Sequence, residues 1–141
     1  MIILKIFIAG PRAIKELDEN ISKKLENICA KNYEVLVGDA DGIDSSVQKF
    51  LQLKSYRNVI VFASKGIARN NYGDWEIETV KVNDNVTGFD FYAQKDLAMA
   101  KKADIGFMIW NGKSKGTFNN IINLLTFEKH VILYFAPNQK F

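Results

Sequence analysis

The sequence predicts an α/β protein of the Rossmann-like type, a three-layer sandwich with helices on both faces of a mainly parallel central sheet. Short apolar runs typical of buried strands alternate along the chain with segments of helical periodicity. The loops that follow these runs hold the stretches richest in glycine and charge. In parallel sheets such loops open on one edge, where ligands bind. The alternation therefore predicts the fold, and the loops predict the side of the sheet that carries the site.

Composition limits the class of protein before any motif is considered. At 141 residues the chain is long enough for one domain with its own core, so residues 1–141 are predicted to form a single domain. Hydrophobic residues make up 48% and charged residues 25%, the balance of a folded protein rather than a disordered one. The formal net charge is only +3 and the lysines are spread along the chain, so DNA is not an expected partner.

The localisation is predicted from features that the sequence lacks. No stretch is long and apolar enough to span a bilayer, and the apolar N-terminus is interrupted by Lys5 with no cleavage site after it. Cys29 is the single cysteine, so no internal disulfide can form, which fits a reducing cytoplasm. We therefore expect a cytoplasmic protein without a membrane partner, with Cys29 in the core.

The first half of the chain contains three predicted strands, each followed by a polar loop. These short apolar runs cover residues 2–9, 33–37 and 58–63. The first ends at Gly10-Pro11-Arg12 and is followed by a helix capped near Asp18. The second leads through the loop 38–44, with the sequence GDADGID, into a second helix. Both loops are expected at the carboxyl edge of the sheet.

The segment 64–88 departs from the alternation of strands and helices, because it is long and polar, and its residues alternate only weakly between apolar and polar near its end. Loops of this length in a compact domain are usually functional or disordered, and the role of this one stays open. Tyr72 and Trp75 would either stack on a base as a lid or anchor the loop in the core. A third helix is predicted over 89–102.

The stretch 103–127 combines a buried strand, a glycine-rich turn and a helix. The strand is predicted at 105–110, and a last strand is predicted at 130–135. The helix is predicted from apolar residues at i, i+3, i+4 and i+7, namely Phe118, Ile121, Ile122 and Leu125. These four residues are expected to face the core.

The turn 111–117, with the sequence NGKSKGT, is the strongest candidate for a ligand site. Glycines let the backbone approach a ligand, and unsatisfied N–H groups at a helix N-terminus attract anions. Its two lysines favour a phosphate over a carboxylate. The turn is not a P-loop, because Phe107 stands where that motif requires its first glycine. The simpler alternative is a tight turn with solvated lysines.

The loops after the strands are predicted to meet where the strand order of the sheet reverses. In the usual order, the first strand and the strand 105–110 are neighbours at that point. Arg12 would then lie beside the turn 111–117, where it either reaches a phosphate or remains solvated. The glycine-proline pair before Arg12 restricts its direction and favours the first role.

The acidic residues of the loop 38–44 allow several roles. Asp44 is either an acceptor for ribose hydroxyls or a stabilising charge near a helix N-terminus. Asp39 and Asp41 would repel a phosphate unless they accept ribose hydroxyls or hold a divalent ion. No clustered set of histidines and cysteines supports a metal, so none is predicted.

The third predicted helix places two charged residues on an otherwise apolar face. Tyr92, Lys95, Asp96 and Met99 lie at i, i+3, i+4 and i+7. Charges on an inward face are unfavourable unless they are paired or face a site. Lys95 and Asp96 are therefore either a pair at the rim of the face or part of a ligand site.

Three motifs, each after a predicted strand, resemble the SLOG superfamily of Rossmann-like domains: IAGPR at 8–12, GDADGID at 38–44 and GKSKGT at 112–117. The second is similar to the Gly-Gly-Ala-Arg-Gly-Ile-Asp stretch of the DNA-processing protein A branch, with aspartates replacing glycine and arginine. The third is similar to the Pro-Gly-Gly-x-Gly-Thr-x-x-Glu signature of the LOG phosphoribohydrolases. The resemblance covers most of the chain apart from 64–88, and it implies a Rossmann-like fold with a nucleotide-type ligand.

The sequence departs from the LOG branch at the residues that cleave the N-glycosidic bond. The family glutamate corresponds to Asn120, which can hydrogen-bond a ribose or base but cannot act as a carboxylate base. The family arginine corresponds to Lys95, which keeps the charge but loses the bidentate fork. Asp96 follows it and is the residue that could supply the missing carboxylate if it lines the pocket.

These observations predict a protein that binds a nucleotide or nucleoside phosphate, as a binding or sensing protein, with no cofactor. The alternatives are an N-glycosidase of the phosphoribohydrolase type and a DNA- or protein-binding module. A homodimer, common among SLOG relatives, is compatible with the apolar helix faces. The candidate catalytic residues are Lys95, Asp96 and Asn120. The candidate ligand-binding residues are Gly10, Pro11, Arg12, Gly38, Asp39, Gly42, Asp44, Gly112, Lys113, Ser114, Lys115, Gly116 and Thr117.

Overall fold

Six strands and four helices make up the fold of the described residues. The computed structural model describes residues 3–64, 66–83 and 85–141. The elements in chain order are β1 (Lys5–Ala9), α1 (Glu19–Ala30), β2 (Glu34–Gly38), α2 (Ile43–Leu53), β3 (Val59–Ala63), β4 (Glu76–Thr79), α3 (Gly88–Lys102), β5 (Ile105–Trp110), α4 (Lys115–Thr126), β6 (His130–Phe135) and a 3₁₀ turn (Ala136–Asn138). None of the described helices has the length and apolar character needed to cross a membrane.

The six strands form one sheet with the order β4-β3-β2-β1-β5-β6, and every pairing is parallel. From β1 the chain builds outward through β2, β3 and β4 on one side, and β5 and β6 lie on the other side. Ile6 pairs with Ile105 and Ile8 with Phe107, so β1 and β5 are neighbours at the point where the order reverses. The predicted Rossmann-like α/β fold is confirmed.

The sheet separates two apolar cores. Ile6 and Ile8 of β1 pack with Leu25 in the core formed with α1 and α2. Phe7, between them, packs with Met99 in the core formed with α3 and α4. Alternate side chains of a strand point to opposite faces, so a strand covered on both faces must be apolar at every position. This is why the apolar runs of the sequence lack polar alternation.

The first helix begins where the sequence predicts. The Ile21 N–H donates to Asp18 Oδ1 at 2.9 Å, so Asp18 is the N-cap of α1. Cys29 lies half-buried against the core of α1 and α2, and burial raises the pKa of its thiol. The predicted first strand was longer than β1, and its first residue, Ile2, lies outside the described residues.

The segment 64–88 contains an edge strand that the sequence did not predict. β4 pairs in parallel with β3, and the residues described between them, 64 and 66–75, form a loop with no helix among them. Trp75 is buried at the end of this loop, and its indole N–H donates to the Tyr56 carbonyl at 2.8 Å. Trp75 therefore anchors the loop in the core, and Tyr72 lies partly exposed beside Lys49.

The predicted inward face of α4 is wrong by a small rotation. Three of the four residues predicted to face the core are exposed, namely Phe118, Ile122 and Leu125. The residues that face the sheet are Thr117, Asn120, Ile121 and Leu124. Two of these are polar because the first turns of α4 border a cavity rather than the core, so apolar periodicity could not identify them.

A matched pair of leucines tests this orientation of α4. Leu124→Ala is expected to lower the free energy of unfolding by about 3 kcal/mol, because its side chain is fully buried beside Gly106 of β5. Leu125→Ala removes the same atoms from a side chain that is 56% exposed, so a change within about 0.5 kcal/mol is expected. Urea denaturation measures both. A loss at Leu125 as large as that at Leu124 would restore the orientation predicted from the sequence.

Candidate functional site

A cavity of about 600 Å³ lies at the carboxyl edge of the sheet, where β1 and β5 meet. The loops after β1, β2, β3 and β5 contribute to its wall, together with the first turns of α3 and α4. Its floor is apolar, with Phe7, Ala9 and Met99, whereas its walls carry both cations and carboxylates. An apolar cavity with a few convergent polar groups at this position of an α/β sheet has the form of a ligand site.

Most of the residues predicted as site residues line this cavity. They are Gly10, Pro11, Arg12, Asp44, Lys95, Asp96, Lys113, Ser114, Gly116, Thr117 and Asn120. The face of α3 that carries Tyr92, Lys95, Asp96 and Met99 therefore points into the cavity. The other five predicted residues do not line it, namely Gly38, Asp39, Gly42, Gly112 and Lys115.

Asp39 lies beneath the cavity and holds two cations in place. Its Oδ1 accepts from Arg69 Nη2 at 2.7 Å and from Lys95 Nζ at 3.0 Å, and its Oδ2 accepts from the Arg69 backbone N–H at 2.9 Å. Burial alone would raise the pKa of Asp39, but the hydrogen bonds from Arg69 and the charge of Lys95 outweigh it and lower the pKa to about 2. Both carboxylate oxygens are thus occupied within the protein.

Two glycines of the β2 loop serve the packing of this site. A Cβ at Gly38 would lie 2.5 Å from Asp44 Oδ2 and 3.0 Å from Lys95 Nζ, so a side chain there would displace both charged groups. Gly42 has a φ of 80° and faces the backbone of Arg12, so both its conformation and its surroundings require glycine. These glycines keep the loops after β1 and β2 close together.

Two carboxyl groups of the cavity have pKa values raised well above the usual range of an aspartate. Asp44 is only 8% exposed, and burial raises its pKa to about 7, although the charge of Lys95 and the hydrogen bond from the Ala40 N–H oppose the shift. Burial likewise raises the pKa of Asp96 to about 6, against the charge of Lys95 and a hydrogen bond from Asn120. Carboxyl groups with such pKa values can exchange protons at neutral pH, and they are frequent in functional sites.

The turn before α4 satisfies several of its own N–H groups. The N–H groups of Lys113 and Ser114 both donate to Asn111 Oδ1 at 2.9 Å, and Ser114 Oγ caps the helix by accepting from the Thr117 N–H at 3.2 Å. The Trp110 indole also donates to the Ser114 carbonyl at 3.1 Å. Because these N–H groups are already bonded within the turn, it offers fewer free donors than the sequence implied, although the first N–H groups of a helix have no acceptor within the helix.

Aromatic side chains and cations alternate along the rim of the cavity. The guanidinium groups of Arg69 and Arg12 lie 4.6 Å and 5.7 Å from the centre of the Tyr92 ring. The Lys115 ammonium lies 4.6 Å from the centre of the Phe89 ring. Phe89 and Arg69 were not predicted, because α3 begins within a weakly patterned region and Arg69 belongs to the loop after β3. The charge and polarity of the residues around Arg69 were the only feature of the sequence that could have indicated its place in the site.

The described part of the chain contains no group of three or more His, Cys, Asp or Glu side chains that could hold a metal ion.

No protein-family model matches the chain, and no curated protein matches it in sequence. Solved structures do match its fold. The chain is similar to DNA processing protein A from Helicobacter pylori, described for its single-stranded DNA binding mode, with a TM-score of 0.68 and 14% identity. The match covers 93% of this chain and 65% of that one, so this chain spans about two thirds of that protein's length.

A second solved structure shares the fold. It is the molybdenum cofactor binding protein from the phototrophic bacterium Rippkaea orientalis, with a TM-score of 0.67, 18% identity, and coverage of 96% of this chain and 78% of that chain. Both proteins are Rossmann-like, and both are named as binding proteins. At such identities the similarity concerns the fold alone.

Proposed function

We propose that this chain is a SLOG-type domain that binds a nucleotide or another nucleoside phosphate. The observation that carries the proposal is the cavity between β1 and β5, with cations at its rim and carboxyl groups deeper inside. A nucleoside phosphate is complementary to this arrangement, because its anionic end is followed by a sugar with hydroxyls and a flat base. Ligands of Rossmann-like sheets bind at this edge.

The phosphate is assigned to Lys113 and the first N–H groups of α4, with help from Arg12. Lys113, Arg12 and Gly116 line the cavity, and the helix N-terminus adds its positive dipole. The sugar is assigned to Asp44, Lys95 and Asp96, because hydroxyl groups both donate and accept hydrogen bonds and thus match carboxyl and ammonium partners. Asp39, which the sequence placed near the ribose, has both oxygens occupied by Arg69 and Lys95.

Lys113→Ala is expected to weaken the binding of a nucleoside 5′-phosphate about tenfold, as loss of a charged hydrogen-bond donor generally does. Lys23→Ala is the matched control, since Lys23 is an exposed lysine of α1 paired with Glu19. Calorimetric titration with nucleoside mono-, di- and triphosphates measures both variants. Binding that is equal in Lys113→Ala and in the unaltered protein would remove Lys113 from the phosphate site, and no binding of any nucleotide would reject the proposed function.

A second candidate is hydrolysis of the N-glycosidic bond, and the position of Asp96 favours it. This carboxyl group lines the cavity, accepts a hydrogen bond from Asn120 and has a raised pKa near 6, as a general acid requires. It lies on α3, whereas the LOG glutamate would lie on α4. Chromatography of the titration samples for free base tests this candidate, and release that stops in Asp96→Asn would assign the acid.

A third candidate is the binding of single-stranded DNA, the ligand named for one of the solved structures. The row of aromatic and basic side chains at the rim favours it, because such rows bind single strands by stacking and charge. The modest net charge of +3 argues against a broad DNA surface. A titration with single-stranded oligonucleotides at two salt concentrations distinguishes binding of a strand from binding of a free nucleotide, since phosphate contacts along a strand make affinity strongly salt-dependent.

A further inference from the structure

One side chain of the cavity wall carries an unused hydrogen-bond acceptor. Asn120 lines the cavity and is only 4% exposed, and its Oδ1 has no hydrogen-bond partner. Among the described residues one other buried side-chain oxygen lacks a partner, Ser64 Oγ, and Ser64 does not line the cavity. A buried acceptor without a donor is unfavourable, and one that borders a cavity can receive its donor from a ligand. The position of Asn120 therefore indicates a ligand contact.

The amide group of Asn120 is oriented by a neighbouring carboxyl group. It donates a hydrogen bond to Asp96, which also lines the cavity. An amide donates through its nitrogen and accepts through its oxygen, so donation to Asp96 leaves Oδ1 as the unpaired end. Because Oδ1 can only accept, the ligand atom that meets it must carry a hydrogen. An ionised phosphate oxygen cannot supply that hydrogen, whereas a sugar hydroxyl can.

Asn120 lies one helical turn beyond the proposed phosphate position. Gly116, in the first turn of α4, and Asn120 both line the cavity, as expected for residues four apart on one side of a helix. Four residues correspond to a rise of about 6 Å. In a nucleoside 5′-phosphate the sugar follows the phosphate directly, and the base lies at the far end. A phosphate at the start of α4 therefore brings the sugar to Asn120.

We propose that Asn120 Oδ1 accepts a hydrogen bond from a ribose hydroxyl, so that the site selects against nucleotides whose sugar lacks this group. The proposal rests on the proposed function and makes its ligand class more specific. The same hydroxyl can accept from Lys95, which lines the cavity and uses one of its three donors for Asp39. A deoxy sugar would leave the buried Oδ1 without a donor, and such sites discriminate strongly against the analogue that lacks the hydroxyl. The 2′- and 3′-hydroxyls offer the same chemistry.

Calorimetric titration tests the proposal with the 5′-monophosphates of adenosine, guanosine, cytidine and uridine and with their 2′-deoxy and 3′-deoxy forms. For each base that binds, removal of the contacting hydroxyl is expected to weaken binding about tenfold, because a buried acceptor loses its donor. Weaker binding of the 2′-deoxy form assigns the contact to the 2′-hydroxyl, and weaker binding of the 3′-deoxy form assigns it to the 3′-hydroxyl. Equal binding of all three sugars overturns the proposal and leaves the proposed function intact. No binding of any of these nucleotides overturns both.

Asn120→Ala tests whether the selection originates at this side chain. The variant is expected to bind the ribonucleotide about tenfold more weakly and to bind the ribose and deoxy forms within about twofold of each other, because the acceptor is gone. Asn119→Ala is the matched control, since Asn119 is the adjacent asparagine of α4 and does not line the cavity. It is expected to keep both the affinity and the selection. Selection that persists undiminished in Asn120→Ala contradicts the proposal.

Asn120→Leu separates the hydrogen bond from the packing of the side chain. Leucine fills a similar volume without a polar atom, so the selection for the hydroxyl is expected to be lost as in Asn120→Ala. Urea denaturation without nucleotide verifies that both variants are folded, and the titrations of the unaltered protein test the proposal without any variant. Selection retained in a folded Asn120→Leu would assign it to the shape of the cavity and reject the role of Oδ1.

Discussion

Replacing Asp39 by asparagine is expected to lower the free energy of unfolding by about 3 to 5 kcal/mol, the loss found when one partner of a buried ion pair is removed. Asp39 is 3% exposed and is the carboxylate that holds both Arg69 and Lys95. Lys95 is also 3% exposed, so it would keep a buried charge without the carboxylate that neutralises it. The remaining carboxyl groups near it, Asp44 and Asp96, have raised pKa values and compensate only in part.

The matched control for this substitution is Asp41→Asn in the same loop. Asp41 is exposed, and its carboxylate accepts from the Asn70 side chain at 3.1 Å. A loss within about 0.5 kcal/mol is expected, as for most surface substitutions. Urea denaturation at neutral pH measures both variants, and far-ultraviolet circular dichroism verifies that each is folded. Similar small losses in both would mean that the contacts of Asp39 are not required for stability.

The second large effect is a dependence of stability on pH that originates at Asp44. Its pKa is about 7 in the folded protein and about 3.9 when unfolded, so the folded state binds the proton more tightly. The contribution of Asp44 to stability is complete below pH 4 and is lost as the pH rises from about 4 to about 7. With 1.36 kcal/mol for each pKa unit, the loss is about 4 kcal/mol. Asp96, with a pKa of about 6, acts in the same direction over a narrower range.

Asp44→Asn isolates this effect. The variant cannot lose a proton at this position, so its stability relative to the unaltered protein is expected to rise by about 4 kcal/mol between pH 4 and pH 8. Denaturant unfolding at several pH values measures the difference, with Asp41→Asn as the control. A difference that stays constant with pH would show that Asp44 is ionised in the folded protein. Asp39 has the opposite sign, since its pKa of about 2 makes its contribution disappear below pH 4.

The sequence by itself determined the fold class and the position of the candidate site. Apolar runs without polar alternation predicted strands covered on both faces, and Asp18 marked the start of α1. Because the strands of such a chain are parallel, the loops that follow them open at one edge of the sheet. Arg12 and Lys113 therefore reach the same cavity although they are far apart in the sequence. These features depend on local patterns and on general rules of topology.

Only the tertiary structure decided which polar residues face the cavity and which are paired beneath it. Asp39 and Lys95 lie 56 residues apart, and no local pattern indicates that one neutralises the other. The inward face of α4 was wrong because Asn120 and Thr117 are buried against a cavity, where polarity replaces the apolar signal. Arg69 was missed because its loop is positioned by contacts with Asp39, in the loop after β2, and not by its own sequence. A buried polar group is stabilised by partners that the fold supplies, so its role becomes visible only when those partners are brought together.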